Sequence, residues 1–328
     1  MESVLGLIRS IPKELEERRV VLLLIDGLGT NELRVPKRHF KKIELRTVFP
    51  SSTPTFLYSF HSLLPPAEHG FLEWYMRFGE FIVTIPPWDT IEGIPVELLA
   101  PIDEQEVFPF KPLSQLLKEK GFSSHYYTPF ADSIFTRLTS RGASQTKIAF
   151  LSEVFPLRDA DFSFIYWHSI DSILHEHYKG EAFSAELRLL EDFIALLWKK
   201  LPKKSKLFVL SDHGLTEIKR VYGLPIVDGC CPVGGSRVAF YKDVEPEKVQ
   251  ATFRRRRIPA EVLRLEELEE FGKDFSRRCK ENFGDVVAIA KSNVAFRFPF
   301  EQKKVIRGAH GGLDKDESYV NVWIAEKI

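Results

Sequence analysis

Six side chains of metal-binding type stand just past strand-like runs or on a glycine-rich loop. Val20–Ile25 is followed by Asp26-Gly27. Asp161–Trp167 is followed by Asp171 and, four residues on, His175. Ser205–Leu210 is followed by Ser211-Asp212-His213-Gly214, and near the C-terminus comes Gly308-Ala309-His310-Gly311-Gly312. In open parallel sheets, ligand-binding groups gather beyond the carboxyl ends of the strands, so these donors are expected at one crevice. Three carboxylates brought together repel one another unless cations sit between them. Mixed oxygen and nitrogen donors without a thiolate suit zinc, and also manganese or iron. Six protein donors are too many for one tetrahedral ion with an open position. They suit two ions, each left short of a ligand for substrate or water. Asp171 and His175, at i and i+4, share one helical face. Taken singly, an Asp past a strand is as often a helix N-cap; the ordered set carries the signal.

Between the first two acidic groups lies Val48-Phe49-Pro50-Ser51-Ser52-Thr53-Pro54-Thr55, with Pro65-Pro66-Ala67-Glu68-His69-Gly70 downstream. A helix is expected to begin near Pro54. A hydroxyl at such a helix start can lose its proton to a bound metal, while the helix dipole and free N–H groups hold an anion nearby. The same hydroxyls serve equally as N-caps, and the two roles are compatible.

With these residues in hand, the sequence resembles the alkaline phosphatase superfamily, and within it the type I phosphodiesterase/nucleotide pyrophosphatase family. The resemblance runs through Val20 to Gly27, Phe-Pro-x-x-Thr, the downstream Pro-x-x-His-Gly, Asp171-x-x-x-His175, Asp212-His213-Gly214 and His310-Gly311, in the family's order. It implies a two-metal phosphoryl-transfer site, usually zinc. Asp171, His175 and His310 would hold one ion; Asp26, Asp212, His213 and the nucleophile Thr53 would hold the other. Thr53 fills the second hydroxyl position of the family's Pro-Thr-x-Thr pattern, with Ser52 as the alternative. The implied mechanism is a two-step displacement through a phospho-threonine. One departure stands out: the family often has an Asn three residues after the nucleophile, where this chain has Phe56, and Asn31 is the candidate to replace it. Trp74 and Tyr75 are candidates to line the pocket and stack a base, although core packing explains them as well.

The elements that must position these groups alternate short apolar runs with amphipathic helical stretches, the pattern of an α/β fold with a mostly parallel sheet. The resemblance implies the three-layer sandwich of the alkaline phosphatases. Strands are expected at 19–25, 123–127, 161–167 and 205–210, and helices at 111–120 and 183–200. From about 216 to 305 the pattern changes to a small α+β insert: a strand at 236–241, a helix at 246–256, and a hairpin formed by 285–290 and 294–298. The division read is a catalytic core of residues 1–215 and 306–328 with the insert, 216–305, as a cap.

Composition bounds the partners. Among 328 residues, 46 Lys and Arg balance 46 Asp and Glu, so no global field favours nucleic acid or an anionic membrane. Arg254 to Arg257 reads as a solvated helix end opposing the dipole. Three cysteines, two of them the adjacent Cys230 and Cys231, make neither a disulfide framework nor a four-thiolate site. The first 19 residues carry charges throughout and read as neither signal peptide nor membrane span, so a cytoplasmic protein is expected. Only 4 Asn and 5 Gln beside abundant charge fit a thermophilic source. His168 and His177 flank the Asp171/His175 pair and, like His69, read as packed or solvated rather than ligating. The expected substrate is a small phosphoester, with a nucleotide as one candidate. A phosphomonoesterase and a non-catalytic metal-binding domain are the competing readings. A sulfatase is argued against by Phe56, which stands where that family's motif places an Arg.

Overall fold

Val20 to Ile25 are apolar without exception, and all six are buried in the strand Arg19–Ile25. Successive side chains on a strand face opposite ways, so this one run feeds two cores. Val20, Leu22 and Leu24 enter the first; Val21, Leu23 and Ile25 enter the second. A strand buried on both faces belongs inside a parallel sheet. In the computed structural model, which describes residues 3–31, 33–99, 101–268, 275–303 and 305–328, it is the middle strand of seven. The order across the sheet is Phe40–Arg46, Tyr319–Lys327, Ser205–Leu210, Arg19–Ile25, Phe162–Trp167, Ser124–Thr128 and Ser144–Lys147. Only the pairings made by Tyr319–Lys327 are antiparallel.

Helices cover both faces, giving three layers. Val4–Glu14, Thr53–Ser62 and Leu113–Glu119 pack on the first core. Ser169–His177 and Glu181–Lys200 pack on the second. The long helix buries Leu190, Phe193, Ile194 and Leu197, an i, i+3, i+4, i+7 stripe that forms its apolar face.

A second seven-stranded sheet, antiparallel throughout, runs in the order Ala260–Arg264, Val286–Ala290, Val238–Tyr241, Val233–Gly234, Tyr75–Phe78, Phe81–Thr84 and Asp89–Thr90. Four of its strands come from 216–305 and three from 75–90. The helix Pro246–Arg256 packs on it through Val249 and Phe253. The expected hairpin is corrected here. Val286–Ala290 has Val238–Tyr241 on one edge and Ala260–Arg264 on the other. With both edges occupied it has none for Val294–Arg297, which pairs parallel with Arg220–Gly223 instead.

Arg237 ties this part of the chain to the loop after His310. Its guanidinium is fully buried and bonds Glu317 (3.0 and 3.1 Å), Asp314 (2.5 Å) and the carbonyl oxygens of Ser292 and Val294. A buried cation is tolerable only when paired this fully. Glu317 also accepts the N–H of Gly312 at 2.9 Å, so the pair pins the glycine-rich turn beside His310.

Candidate active site

Side-chain parity places the first two carboxylates. Leu24 is in register with Leu210 on adjacent parallel strands, so Asp26 and Asp212, two residues beyond each, continue the same face past the strand ends. The Gly27 N–H donates to Asp212 Oδ1 at 3.1 Å. Asp171, in the first turn of Ser169–His177, donates its N–H to the Asp26 carbonyl at 3.1 Å. Gly27 makes this approach possible: its φ is +73°, and a Cβ there would lie 2.8 Å from the Asp171 backbone. Thr53 is the first residue of Thr53–Ser62, and its Oγ1 lies 3.0 Å from both Asp26 Oδ1 and His213 Nε2. Ligand atoms of Asp26, Asp212 and His213 fall within 4.8 Å of one another, as do those of Asp171, His213 and His310. His175 Nε2 is 3.3 Å from Asp171 Oδ2, and the His213 and His310 rings stack at 3.9 Å.

The three imidazoles share one orientation. Nδ1 of His175, His213 and His310 faces the carbonyl oxygen of Gly308 (2.8 Å), Gly214 (3.1 Å) and Ser51 (3.1 Å), respectively. A carbonyl only accepts, so each Nδ1 carries hydrogen and each Nε2 faces the carboxylates, the arrangement that suits metal-ligating histidines. Burial drives the His310 pKa well below its ordinary value, helped by His213, and so keeps that ring neutral. Burial raises Asp26 well above the carboxylate range, and the nearby Asp212 and Asp171 add to it. For Asp171, burial acts upward but is outweighed, chiefly by the hydrogen bond and charge of His175, and the group is held below its ordinary value. Asp171 Oδ1 and Asp212 Oδ2 are buried with no hydrogen-bond partner. Two orphaned carboxylate oxygens beside three Nε2 atoms make a candidate cation site.

The sequence matches the type I phosphodiesterase / nucleotide pyrophosphatase family over residues 20–313. The chain belongs to that family. Murine ectonucleotide pyrophosphatase/phosphodiesterase 5 shares the fold at TM-score 0.71 and 16% identity, over 93% of this chain and 88% of that one. The human counterpart gives 0.70 and 16%, over 93% and 87%. Phosphonoacetate hydrolase from Sinorhizobium meliloti 1021, in complex with phosphonoacetate, gives 0.65 and 15%, over 95% and 91%. No curated protein matches by sequence. Family and neighbours belong to the alkaline phosphatase superfamily, and the chain is a phosphoester hydrolase of the phosphodiesterase/pyrophosphatase type.

In this phosphodiesterase-family enzyme a cavity of about 620 Å³ opens on Asp26, Thr53, Asp171, His175 and His310. Trp74, 40% exposed, and Tyr75 line it, as does His168. Asn31 does not; its side-chain amide closes its own turn on the Leu28 carbonyl at 2.6 Å. Phe56 is fully buried, stacked on Phe60, and faces the core, so its replacement of the family Asn removes nothing from the cavity wall. No helix among the described residues is long and apolar enough to cross a membrane.

Two neighbours of the site went unforeseen. Tyr166 donates its hydroxyl to Asp26 Oδ2, and strand parity predicts it, since Tyr166 sits beside Leu24 in the sheet. Glu73 left no sequence signal. It is buried at a left-handed φ of +60°, and its carboxyl presses on Gly235 and Gly311, where a Cβ would come within 2.0 and 2.2 Å. Burial, and then Glu317, push its pKa from 4.5 to about 8. The folded protein therefore keeps a proton that the unfolded chain releases above about 4.5. The stabilisation is whole below that pH and is lost as pH climbs to about 8. Glu73→Gln is expected to flatten this slope. Denaturant unfolding from pH 5 to 8.5 should show the wild type losing on the order of a few kcal/mol more than the variant; parallel curves would place the proton elsewhere.

Proposed function

We propose that the chain is a metal-dependent phosphodiesterase or nucleotide pyrophosphatase that works through a covalent phospho-Thr53. The observation that carries this reading is Thr53 Oγ1 at 3.0 Å from both Asp26 Oδ1 and His213 Nε2, at the start of a helix. Asp171, His175 and His310 would hold one divalent cation, and Asp26, Asp212, His213 and Thr53 a second. Zinc suits a donor set that is half imidazole and free of thiolate. Such cations supply positive charge that lowers the pKa of a bound oxygen and offsets charge building on the phosphoryl group.

Asp26 and His213 aim the Thr53 oxygen, and the helix N-terminus favours the anionic phosphoryl group beside it. Oγ1 attacks phosphorus as its proton is released, the Oγ1–P bond forms, and the bond to the leaving oxygen breaks. That oxygen takes up a proton from solvent. Water then attacks from the vacated side, breaking the Oγ1–P bond and restoring the hydroxyl. Stabilising charge on the transferring group is the main task in such chemistry. Gly235, Ser236 and Glu301 line the cavity, which supports the reading of 216–305 as a cap over the core.

A diester is favoured over a monoester because, among the described residues, no Lys or Arg lines the cavity, and the second negative charge of a monoester calls for a cationic contact. The AMP complex of an inactive form of murine ectonucleotide pyrophosphatase/phosphodiesterase 5 supports a nucleotide as one candidate ligand. With zinc or manganese supplied, bis(nitrophenyl) phosphate is expected to show kcat/KM at least about tenfold above nitrophenyl phosphate, the effect of one unpaired charge. A preference for the monoester would reverse the assignment.

A further inference from the structure

We propose that His168 is a further catalytic residue: it donates a hydrogen bond from Nε2 to the leaving oxygen of the ester as the bond to phosphorus breaks. The inference rests on the proposed diester hydrolysis for its point of attack and adds the group that meets the departing arm.

His168 stands between the strand Phe162–Trp167 and the helix Ser169–His177. Two residues before it Tyr166 reaches Asp26. Three and seven residues after it come Asp171 and His175, and all of these line the cavity. Positions i, i+3 and i+7 share one helix face, so His168 extends the row of Asp171 and His175 by one turn, about 5 Å. Thr53 is held by Asp26 and His213, and in-line displacement sends the leaving oxygen away from that side. His168 lines the cavity outside the cluster of Asp26, Thr53 and His213, with no hydrogen bond to any of them.

The ring was expected to be packed or solvated; it is packed on one side and open on the other. It is half-buried, against Phe130 at 5.3 Å and Trp167 at 5.6 Å between ring centres. Nδ1 is buried with no hydrogen-bond partner, so the ring meets the cavity through its other nitrogen. A neutral imidazole carries one hydrogen. It costs less on Nε2, where substrate or water can accept it, than on a nitrogen sealed from any acceptor. Burial lowers the pKa of the ring against the upward pull of Asp171 and Glu186, which keeps the ring neutral. Neighbouring donors on this wall are committed elsewhere. The Tyr166 hydroxyl goes to Asp26, that of Ser172 to the His168 carbonyl (3.3 Å), and that of Ser133 to Thr136 (2.9 Å). Negative charge gathers on the leaving oxygen as its bond lengthens, and a fixed donor stabilises it more there than in the intact ester. No proton is transferred in this step, so the oxygen still takes its proton from solvent.

The test uses the full chain with zinc and methyl phosphodiesters whose leaving group is 2,4-dinitrophenol, 4-nitrophenol, 3-nitrophenol or phenol. The readout is the slope of log kcat/KM against leaving-group pKa, because a partial loss of fold or metal scales every ester alike. His168→Phe should lower kcat/KM for the phenol ester by about tenfold or more, the scale of a hydrogen bond to a charged oxygen. For the dinitrophenol ester the loss should be about twofold, the low end for a weak acceptor. His168→Gln, whose amide nitrogen reaches the place of Nε2, should restore the wild-type slope. His168→Asn, whose amide reaches only the place of Nδ1, should not. An equal loss for every ester, or a Gln variant no better than Phe, overturns the proposal. Imidazole nitrogen NMR on Thr53→Ala protein separates this from the reading of function. Saturating methyl phenyl phosphate should shift the His168 Nε2 signal, identified by its absence when His168→Gln is added. If no ester turns over in the wild type but that signal moves, the contact stands and the hydrolysis reading falls. A signal unmoved at saturation overturns the contact.

Discussion

Thr53→Ala is expected to leave only a trace of phosphodiester turnover, a loss of about 10³-fold or more in kcat, because deleting a covalent nucleophile removes the reaction path and not merely one contact. Three consecutive hydroxyls stand at this turn, and the structure separates their roles. Ser51 donates to the Gly312 carbonyl (2.9 Å) and accepts from the Gly311 N–H (3.2 Å), bracing the loop that carries His310. Ser52 Oγ is 2.9 Å from Thr55 Oγ1 and fully buried. Thr53 Oγ1 alone of the three bonds to Asp26 and His213. Ser52→Ala should therefore retain turnover within about tenfold of wild type, the scale of one lost hydrogen bond. Thr53 is half-exposed to the cavity at the first position of its helix, and alanine there suits the helix, so the fold should survive the change. Acid-quenched wild-type enzyme should yield a phosphorylated peptide containing Thr53, absent from the variant. Adduct and activity persisting in Thr53→Ala, with both lost in Ser52→Ala, would move the nucleophile by one residue.

What could be read in advance divides along physical lines. Val20–Ile25 and Leu207–Leu210 announce themselves because a strand buried on both faces reads as an apolar run, and Asp26 and Asp212 follow from where those runs stop. Phe40–Arg46 gives no such signal. It lies at the sheet edge, and Lys41, Lys42, Glu44 and Arg46 interrupt it, as suits an edge strand. The three strands of 75–90 join a sheet whose other members lie about 150 residues later in the chain, at Val233–Gly234 and beyond; pairing over such distances leaves no local pattern. Arg237 and Glu73 stay hidden for a related reason, since their significance lies in burial beside groups remote in sequence, Glu317 for the first and Gly235 and Gly311 for the second. Asn31, the candidate to replace the family Asn, lies outside the cavity wall with its amide on the Leu28 carbonyl, because a short polar side chain just past a turn finds its nearest partner in that turn's own carbonyl. Tyr166, by contrast, was accessible by counting: residues 162, 164 and 166 share the face that Val20, Leu22 and Leu24 present.

Stripping the protein with a chelator is expected to reduce diester hydrolysis to background and lower Tm by about 10 °C, with zinc restoring both. The activity loss follows from the donor set: without cations, Asp26, Asp212 and Asp171 crowd one another where a phosphoryl anion must bind. The stability loss follows from the same crowding, since an ion bound at 1,000 times its Kd contributes about 4 kcal/mol, and each kcal/mol is worth about 2–4 °C in a chain of this size. The two effects also give a count of ions. Metal analysis of the wild type should find two per chain. His310→Ala removes a donor that lies with Asp171 and His213 and should leave about one, held by Asp26, Asp212 and His213. Asp212→Ala should cost the other ion and, because Asp212 Oδ1 also accepts the N–H groups of Gly27 (3.1 Å) and His213 (3.0 Å), more stability as well. A wild-type stoichiometry below one, or turnover indifferent to chelation, would mean that the orphaned oxygens of Asp171 and Asp212 are satisfied by something other than a metal, and the role of the three aimed imidazoles would have to be found elsewhere.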